Sequence, residues 1–456
     1  VTLTLGPTTT TDPDGVLARQ AARESAARTY ARTFRIVPVA ASGMTVTGAD
    51  GRTYLDCLSG AGTLALGHNH PVVVEAVRRV VDRGAPWHVL DIATPEKDEF
   101  TDALFAALPP GLARDGRVHF CGPAGTDAVE AALKLVRTAT GRSGVLAFTG
   151  AYHGMTAGAL AASGGVAAKA PMSGAAAEAV RLPYPYAYRC PFGLGGDATA
   201  RVSATYVERL LDDPNGGVVE PAGMVLEAVQ GEGGVIPAPL EWLRHMRRAT
   251  AERGIPLVVD EVQTGVGRTG TMWAVDAAGI EPDVLVLSKA IGGSLPMAVV
   301  VYAAHLDTWA PGAHTGTFRG NTLAMAAGAA TLRHVLAERL PERAAALGER
   351  LLGELRTLQR QHPCIGDVRG RGLMIGVELV EPGAQPDACG ARPAAPGLAA
   401  AVRAECLRRG LIVELGGRHD SVLRLLPPLV MTDEEAGSVL DRLAEAIAVA
   451  EREHRA

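Results

Sequence analysis

The fold is decided by residues 255–293, IPLVVDEVQTGVGRTGTMWAVDAAGIEPDVLVLSKAIGG. Two short apolar runs, Ile255 to Asp260 and Asp283 to Ser288, have the length and branched composition of buried strands. The first ends on Asp260 and Glu261, and the second runs into Lys289. Working outward, Val145 to Phe148, Gly223 to Val229 and Met297 to Tyr302 read the same way, and intervening segments such as Leu240 to Arg253 have helix composition. Strands alternating with helices predict an α/β domain with a doubly wound, largely parallel sheet covered by helices. Glu227 ends the run that starts at Gly223, so three strands deliver ionisable groups to the carboxyl edge of the sheet. That edge is where open α/β sheets bind ligands.

Further along, a long helical stretch near Leu332 to Gln361 precedes strand candidates at Gly372 to Val380, Leu411 to Leu415 and Val422 to Leu426, then a helix over Asp433 to Glu451. These predict a smaller α+β domain. Residues 381–397, EPGAQPDACGARPAAPG, are too rich in Pro, Gly and Ala for a regular element and predict a surface insertion. The expected plan is a flexible arm over 1–16, the N-terminal part of a small domain over 17–85, a large domain over 86–331 and the rest of the small domain over 332–456.

The chain has 456 residues, 47% hydrophobic and 20% charged, with a formal net charge of −5. This is a globular composition without the basic footprint of a nucleic-acid binder. No apolar run approaches the ~20 residues of a membrane span, and the opening VTLTLGPTTTTDPDG lacks the charged and apolar regions of a signal peptide. A cytoplasmic protein is expected. Six cysteines, at 57, 121, 190, 364, 389 and 406, form no CxxC pair and predict reduced, mostly buried thiols.

Of the 44 Lys and Arg residues only four are lysine: Lys97, Lys134, Lys169 and Lys289. The first three lie in contexts that suggest solvated surface. Lys289 instead places a lone amine at the ligand-binding edge, where a desolvated lysine can form a Schiff base. A carboxylate ending an apolar strand needs a cationic partner, and a protonated pyridine nitrogen is one. An amine for an aldehyde, with Asp260 for a pyridinium, is the minimal equipment for pyridoxal 5'-phosphate (PLP). In PAGTDAVE, 123–130, Gly125 and Thr126 open a helix whose free N–H groups suit the phosphate.

Two other motifs point elsewhere. Gly265-Val-Gly267-Arg-Thr-Gly270 matches GxGxxG, but Glu261 to Thr264 separate it from the strand it should follow directly, which argues against a dinucleotide site. The histidines of GHNHP, 67–71, lack further ligands at metal spacing, so no metal is expected. Neither a Walker A motif nor GxSxG occurs.

Taken together, GHNHP (67–71), AGTDAVEAALKLVR (124–137), GAYHGMT (150–156), EAVQGEGG (227–234), VVDEVQTGVGRTG (258–270), LSKAIGG (287–293) and GTFRGN (316–321) resemble the class III aminotransferases, PLP enzymes of fold type I, from about residue 24 to the end. The resemblance implies a large domain with a mainly parallel seven-stranded sheet, and a homodimer. It implies that Lys289 carries the cofactor as a Schiff base, Asp260 binds the pyridinium nitrogen and Gln263 the ring hydroxyl. Tyr152 would lie against the ring face with His153 beside it. Glu227 falls among the cofactor-binding residues, and Gly125 and Thr126 would hold the phosphate with Thr317 of the neighbouring subunit. Glu232 and Arg424 would form a switch, pairing while an amine donor is bound and parting so that Arg424 can clamp 2-oxoglutarate.

Within the class, ESAARTYAR (24–32), YRCPFG (188–193) and HTGTFRGN (314–321) are most similar to diaminobutyrate–2-oxoglutarate aminotransferases. The implied reaction moves the terminal amine of L-2,4-diaminobutyrate to 2-oxoglutarate, giving aspartate 4-semialdehyde and glutamate, reversibly. Ser59-Gly-Ala61-Gly-Thr63 stands where ornithine enzymes carry a bulky Tyr. Those small residues leave open another ω-amine or a larger specialised amine or aldehyde.

Overall fold

The computed structural model describes residues 12–172 and 179–455. Its centre is a seven-stranded sheet ordered Gly116–Phe120, Val299–Ala303, Val284–Leu287, Leu257–Asp260, Gly223–Leu226, Val145–Phe148 and Ala179–Leu182. All pairings are parallel except those of Val299–Ala303, which runs antiparallel to both neighbours. The four central strands, Val284–Leu287 to Val145–Phe148, are buried along their whole length, which accounts for their unbroken apolar sequences.

Helix Gly125–Thr140 lies across one face of this sheet, contacting Val284–Leu287 and Val299–Ala303. Its start is tied by Asp127, which accepts the Ala124 N–H at 3.0 Å, and Gly141 closes it in the left-handed region at φ 70. Helix Leu240–Glu252 packs near the other face through Trp242, Leu243 and Met246. No described helix is long and apolar enough to cross a membrane.

Two four-stranded sheets and one two-stranded pair make up the rest of the strands among the described residues. One four-stranded sheet joins Pro38–Ser42, Thr45–Gly48 and Thr53–Asp56 to Leu411–Ile412, the last pairing in parallel. The other is antiparallel, in the order Ile365–Arg371, Met374–Leu379, Val422–Leu425, Glu414–Gly416.

The structure corrects several boundaries. Residues 13–16 are not a loose arm but the first turn of helix Pro13–Arg23, with Pro13 in its first turn and the Asp12 side chain accepting the Gly15 N–H at 3.0 Å. Residues 1–11 of the expected arm lie outside the described residues. The expected single stretch Leu332 to Gln361 is two helices, Thr322–Ala337 and Leu340–Gln361, because Arg339 turns left-handed at φ 50 and Pro341 opens the second. The run from Gly223 to Val229 stops at Leu226. There Glu227 accepts the N–H groups of Tyr152 and Gly231, each at 2.9 Å, and Val229–Gln230 pairs separately with Ile236–Pro237. Leu411 to Leu415 divides between the two small sheets, and Ile365–Arg371, Gly116–Phe120 and Ala179–Leu182 are strands beyond those expected.

Candidate active site

The carboxyl edge of the large sheet holds a cavity of about 280 Å³ whose walls include Gly125, Thr126, Tyr152, His153, Glu227, Glu232, Asp260, Gln263 and Lys289. Each arrives from the end of a strand, the start of a helix or a loop between them. Lys289 follows strand Val284–Leu287 after one residue and opens a tight turn with its backbone left-handed at φ 51. A non-glycine residue held there costs on the order of 1 kcal/mol and persists because its surroundings over-determine it. Burial lowers the Lys289 pKa, against the opposing pull of Glu232 and Asp260, and so favours the neutral amine.

Asp260, the last residue of its strand, is 5% exposed. Its Oδ2 lies 2.7 Å from His153 Nδ1, and its Oδ1 accepts the Val262 N–H at 3.0 Å. Burial works against the His153 cation, but the hydrogen bond and charge of Asp260 outweigh it and raise its pKa. The second ring nitrogen of His153 is buried without a partner. Glu227 is pushed up to about 7 by burial, against the charge of His153 and the two N–H groups it accepts.

Gly125 and Thr126 open helix Gly125–Thr140, so their N–H groups belong to the first turn and have no acceptor within the helix. The Thr126 hydroxyl lies 2.6 Å from that of Thr156, which donates to Glu130 Oε1 at 2.6 Å. Gly154, at φ 130, closes on this turn so tightly that an added Cβ would fall 2.3 Å from Thr126 Oγ1. Gln263 donates to the Ala61 carbonyl at 3.0 Å and keeps its own oxygen buried and unpartnered. Arg424, 1% exposed in strand Val422–Leu425, pairs with Glu232 at 2.6 Å.

Thr317 is not brought to this cavity. It starts an exposed turn, Thr317–Arg319, beside the half-exposed to exposed residues Trp87 and Phe318. Met155, Val262 and Thr264 line the cavity without having been singled out. Nor had Thr156 and Glu130, which support Thr126, been assigned roles, although both fall inside quoted motifs.

The remaining lysines stand elsewhere. Lys97 donates to the Asp91 carbonyl at 3.0 Å and sits over the Phe120 ring, Lys134 donates to the Ala313 carbonyl and Lys169 to that of Ala161. The glycines of GxGxxG serve packing. Gly265 lies under Trp273, Gly267 against Pro341 and Leu429, and Gly270 against Ala345. In GHNHP, His68 Nε2 meets Asp56 Oδ2 at 2.8 Å, and His70 precedes helix Pro71–Asp82 with its ring 4.8 Å from that of His334.

The class III aminotransferase family profile matches residues 25–447. A diaminobutyrate–2-oxoglutarate aminotransferase of Rhizobium meliloti is 57% identical over 430 residues, covering 94% of this chain and 92% of the relative. A protein of the same name from Haemophilus influenzae is 46% identical, covering 94% of each. Among solved structures, an amine transaminase of an uncultivated Pseudomonas species in its PLP-bound form superimposes with a TM-score of 0.83 at 30% identity, covering 94% of this chain and 98% of that one. With a lysine, a strand-end carboxylate and a helix N-terminus meeting at the sheet edge, and with the match running through nearly the whole sequence, the chain belongs to the class III aminotransferases.

Proposed function

We propose that this enzyme moves the terminal amine of L-2,4-diaminobutyrate to 2-oxoglutarate, giving aspartate 4-semialdehyde and glutamate, and runs in either direction. The observation that carries the reading is the 57% identity, over nearly the whole chain, to a relative named for that reaction.

The cavity suits PLP. It offers a buried amine, a strand-end carboxylate for a ring nitrogen, an unpartnered Gln263 oxygen for a ring hydroxyl and a free helix N-terminus for a phosphate. When bound, PLP supplies the electron sink that lets a C–H bond beside the reacting nitrogen break. Lys289 would hold it, and its Nζ would accept and return the proton of the substrate carbon. Asp260 keeps a proton on the ring nitrogen, and His153 fixes the Asp260 carboxylate in place. Tyr152 would cover a ring face, Glu227 would brace the wall, and Gly125 and Thr126 would take the phosphate with the partner subunit's Thr317. The proposed assembly is a homodimer, and six cysteines without a CxxC pair suit a cytoplasmic setting.

Glu232 neutralises Arg424 while the diamine donor reacts. A dicarboxylate displaces it and is clamped by the planar guanidinium. The test is glutamate formation from 2-oxoglutarate with L-2,4-diaminobutyrate, ornithine, lysine, 4-aminobutyrate and β-alanine as donors. Strong preference for diaminobutyrate is expected, and loss of all turnover in Lys289→Ala. A second reading, a bulkier ω-amine, is favoured by the small Gly60-Ala61-Gly62 turn facing Gln263. Poor rates with the whole panel despite bound cofactor would select it.

A further inference from the structure

Strand Glu414–Gly416 runs antiparallel to Val422–Leu425 with Glu414 directly opposite Arg424. Directly opposed residues of an antiparallel pair project from the same face. Arg424 passes over Gly416, where an added Cβ would fall 2.6 Å from its Nε, and reaches Glu232 rather than Glu414. Glu414 Oε1 accepts the Leu415 N–H at 3.3 Å. Its Oε2 is sealed from solvent and has no hydrogen-bond partner. Among the described residues no ion pair closes on Glu414.

Glu414 is not on the cavity wall but stands opposite Arg424, whose ion-pair partner Glu232 is on it. Burial raises the Glu414 pKa, Arg424 and Arg403 pull it down, and Glu232 pushes it up. The Tyr30 phenol is raised by burial, by Glu414 and by Glu232, and senses Tyr152 on the cavity wall as well. A half-buried carboxylate with one orphaned oxygen is unfavourable alone and favourable once its side chain turns to meet a cation. The far end of a diamino-acid donor carries such a cation.

We propose that Glu414 receives the α-ammonium group of the donor while Glu232 keeps Arg424 occupied, so that Glu414 selects donors with a second amine. The assignment rests on the diaminobutyrate reading above.

The test compares kcat/KM of the wild-type and Glu414→Gln holoenzymes for L-2,4-diaminobutyrate and for 4-aminobutyrate, the same chain without the α-ammonium. Losing a charge-assisted hydrogen bond should lower kcat/KM for diaminobutyrate about 10- to 100-fold, mainly through KM. The 4-aminobutyrate value should stay within about twofold. Equal loss with both donors overturns the assignment and makes Glu414 a structural support. Wild-type enzyme with 4-amino-2-hydroxybutyrate, which puts a neutral hydroxyl in place of the ammonium, should show the same 10- to 100-fold deficit. Parity there overturns the assignment even if the variant fails to fold. Wild-type enzyme that ignores diaminobutyrate but turns over another amine shows instead that the donor reading has failed, and this assignment falls with it.

Discussion

A guanidinium that is 1% exposed requires a partner, and Arg424 has its charge on Glu232 at 2.6 Å with Nε left over. In Arg424→Ala the clamp for a dicarboxylate is gone while Lys289 and Asp260 stay in place. Single-turnover rates should therefore fall about 10- to 100-fold in the 2-oxoglutarate half-reaction and by less than about threefold in the donor half. Equal losses would count against the switch. Glu261 carries a different burden: it is 2% exposed, accepts the Thr264 hydroxyl and the Val275 N–H, and is pushed up to about 7 from 4.5 by burial. Its folded form binds a proton more readily than its unfolded form, so its contribution is full below pH 4.5 and is lost as pH rises through about 7. The stability of wild type relative to Glu261→Gln, read from thermal melts of the holoenzyme, should decline across that window by about 1–3 kcal/mol and then level off. A difference that stays constant with pH would remove Glu261 as the cause. Asp260 and Glu261 were legible because they end an apolar strand run, where a charge signals a partner, whereas Arg424 lies inside its strand and was reached only through the family resemblance. Glu414 had no such signal, since its meaning depends on the register that sets it opposite Arg424.

Elements obey rules that the chain shows only in part. The four buried strands were readable because their apolar runs are flanked by breakers, whereas Ile365–Arg371 carries Gly366, Asp367, Arg369 and Arg371 and shows no alternation. Its charged residues are absorbed by the fold. Arg369 reaches the Gly234 carbonyl, Asp367 and Glu378, and Arg371 reaches the Ala238 carbonyl. The break at Arg339 has no signal in that residue, since Arg is a good helix former in isolation. Helix Leu340–Gln361 then crosses the GxGxxG turn and the Gly372 turn at backbone contact. A Cβ on Gly348 would lie 2.1 Å from the Gly372 oxygen, and one on Gly372, at φ 57, 2.5 Å from the Thr269 carbonyl carbon. Gly348→Ala should cost about 2 kcal/mol or more, because backbone must shift to admit the methyl. Arg339→Gly should be neutral or stabilise by up to about 1 kcal/mol by relieving the left-handed backbone. Chemical denaturation of both variants checks the pair, and a Gly348→Ala protein as stable as wild type would mean that the helix is free to lift.

At the scale of the molecule, one subunit assembles the lysine, the carboxylates and the helix N-terminus but leaves Thr317 on its surface. Thr317 is exposed and does not line the cavity of its own chain, so its proposed contact with the phosphate depends on a second copy. Around that turn the surface is unusually apolar: Trp87 is 58% exposed, Ile92 65% and Phe318 64%. These residues are tied into one patch, since His88 reaches the Thr317 carbonyl, its ring lies 5.3 Å from that of Phe318, and Val89 donates to the Gly320 carbonyl. Exposed clusters of large apolar side chains mark interaction surfaces. If the patch seats a second copy and the partner subunit's Thr317 completes the phosphate site, breaking the interface should also weaken the cofactor. Phe318→Glu places a charge in that patch while leaving Lys289 and Asp260 untouched. Sedimentation should then show the mass of the assembly halved relative to wild type, and PLP should dissociate at least about tenfold more readily, as loss of one phosphate contact predicts. A monomer that holds PLP as tightly as wild type would separate assembly from cofactor binding and remove Thr317 from the site. A variant that remains a full-strength dimer would move the interface to another face.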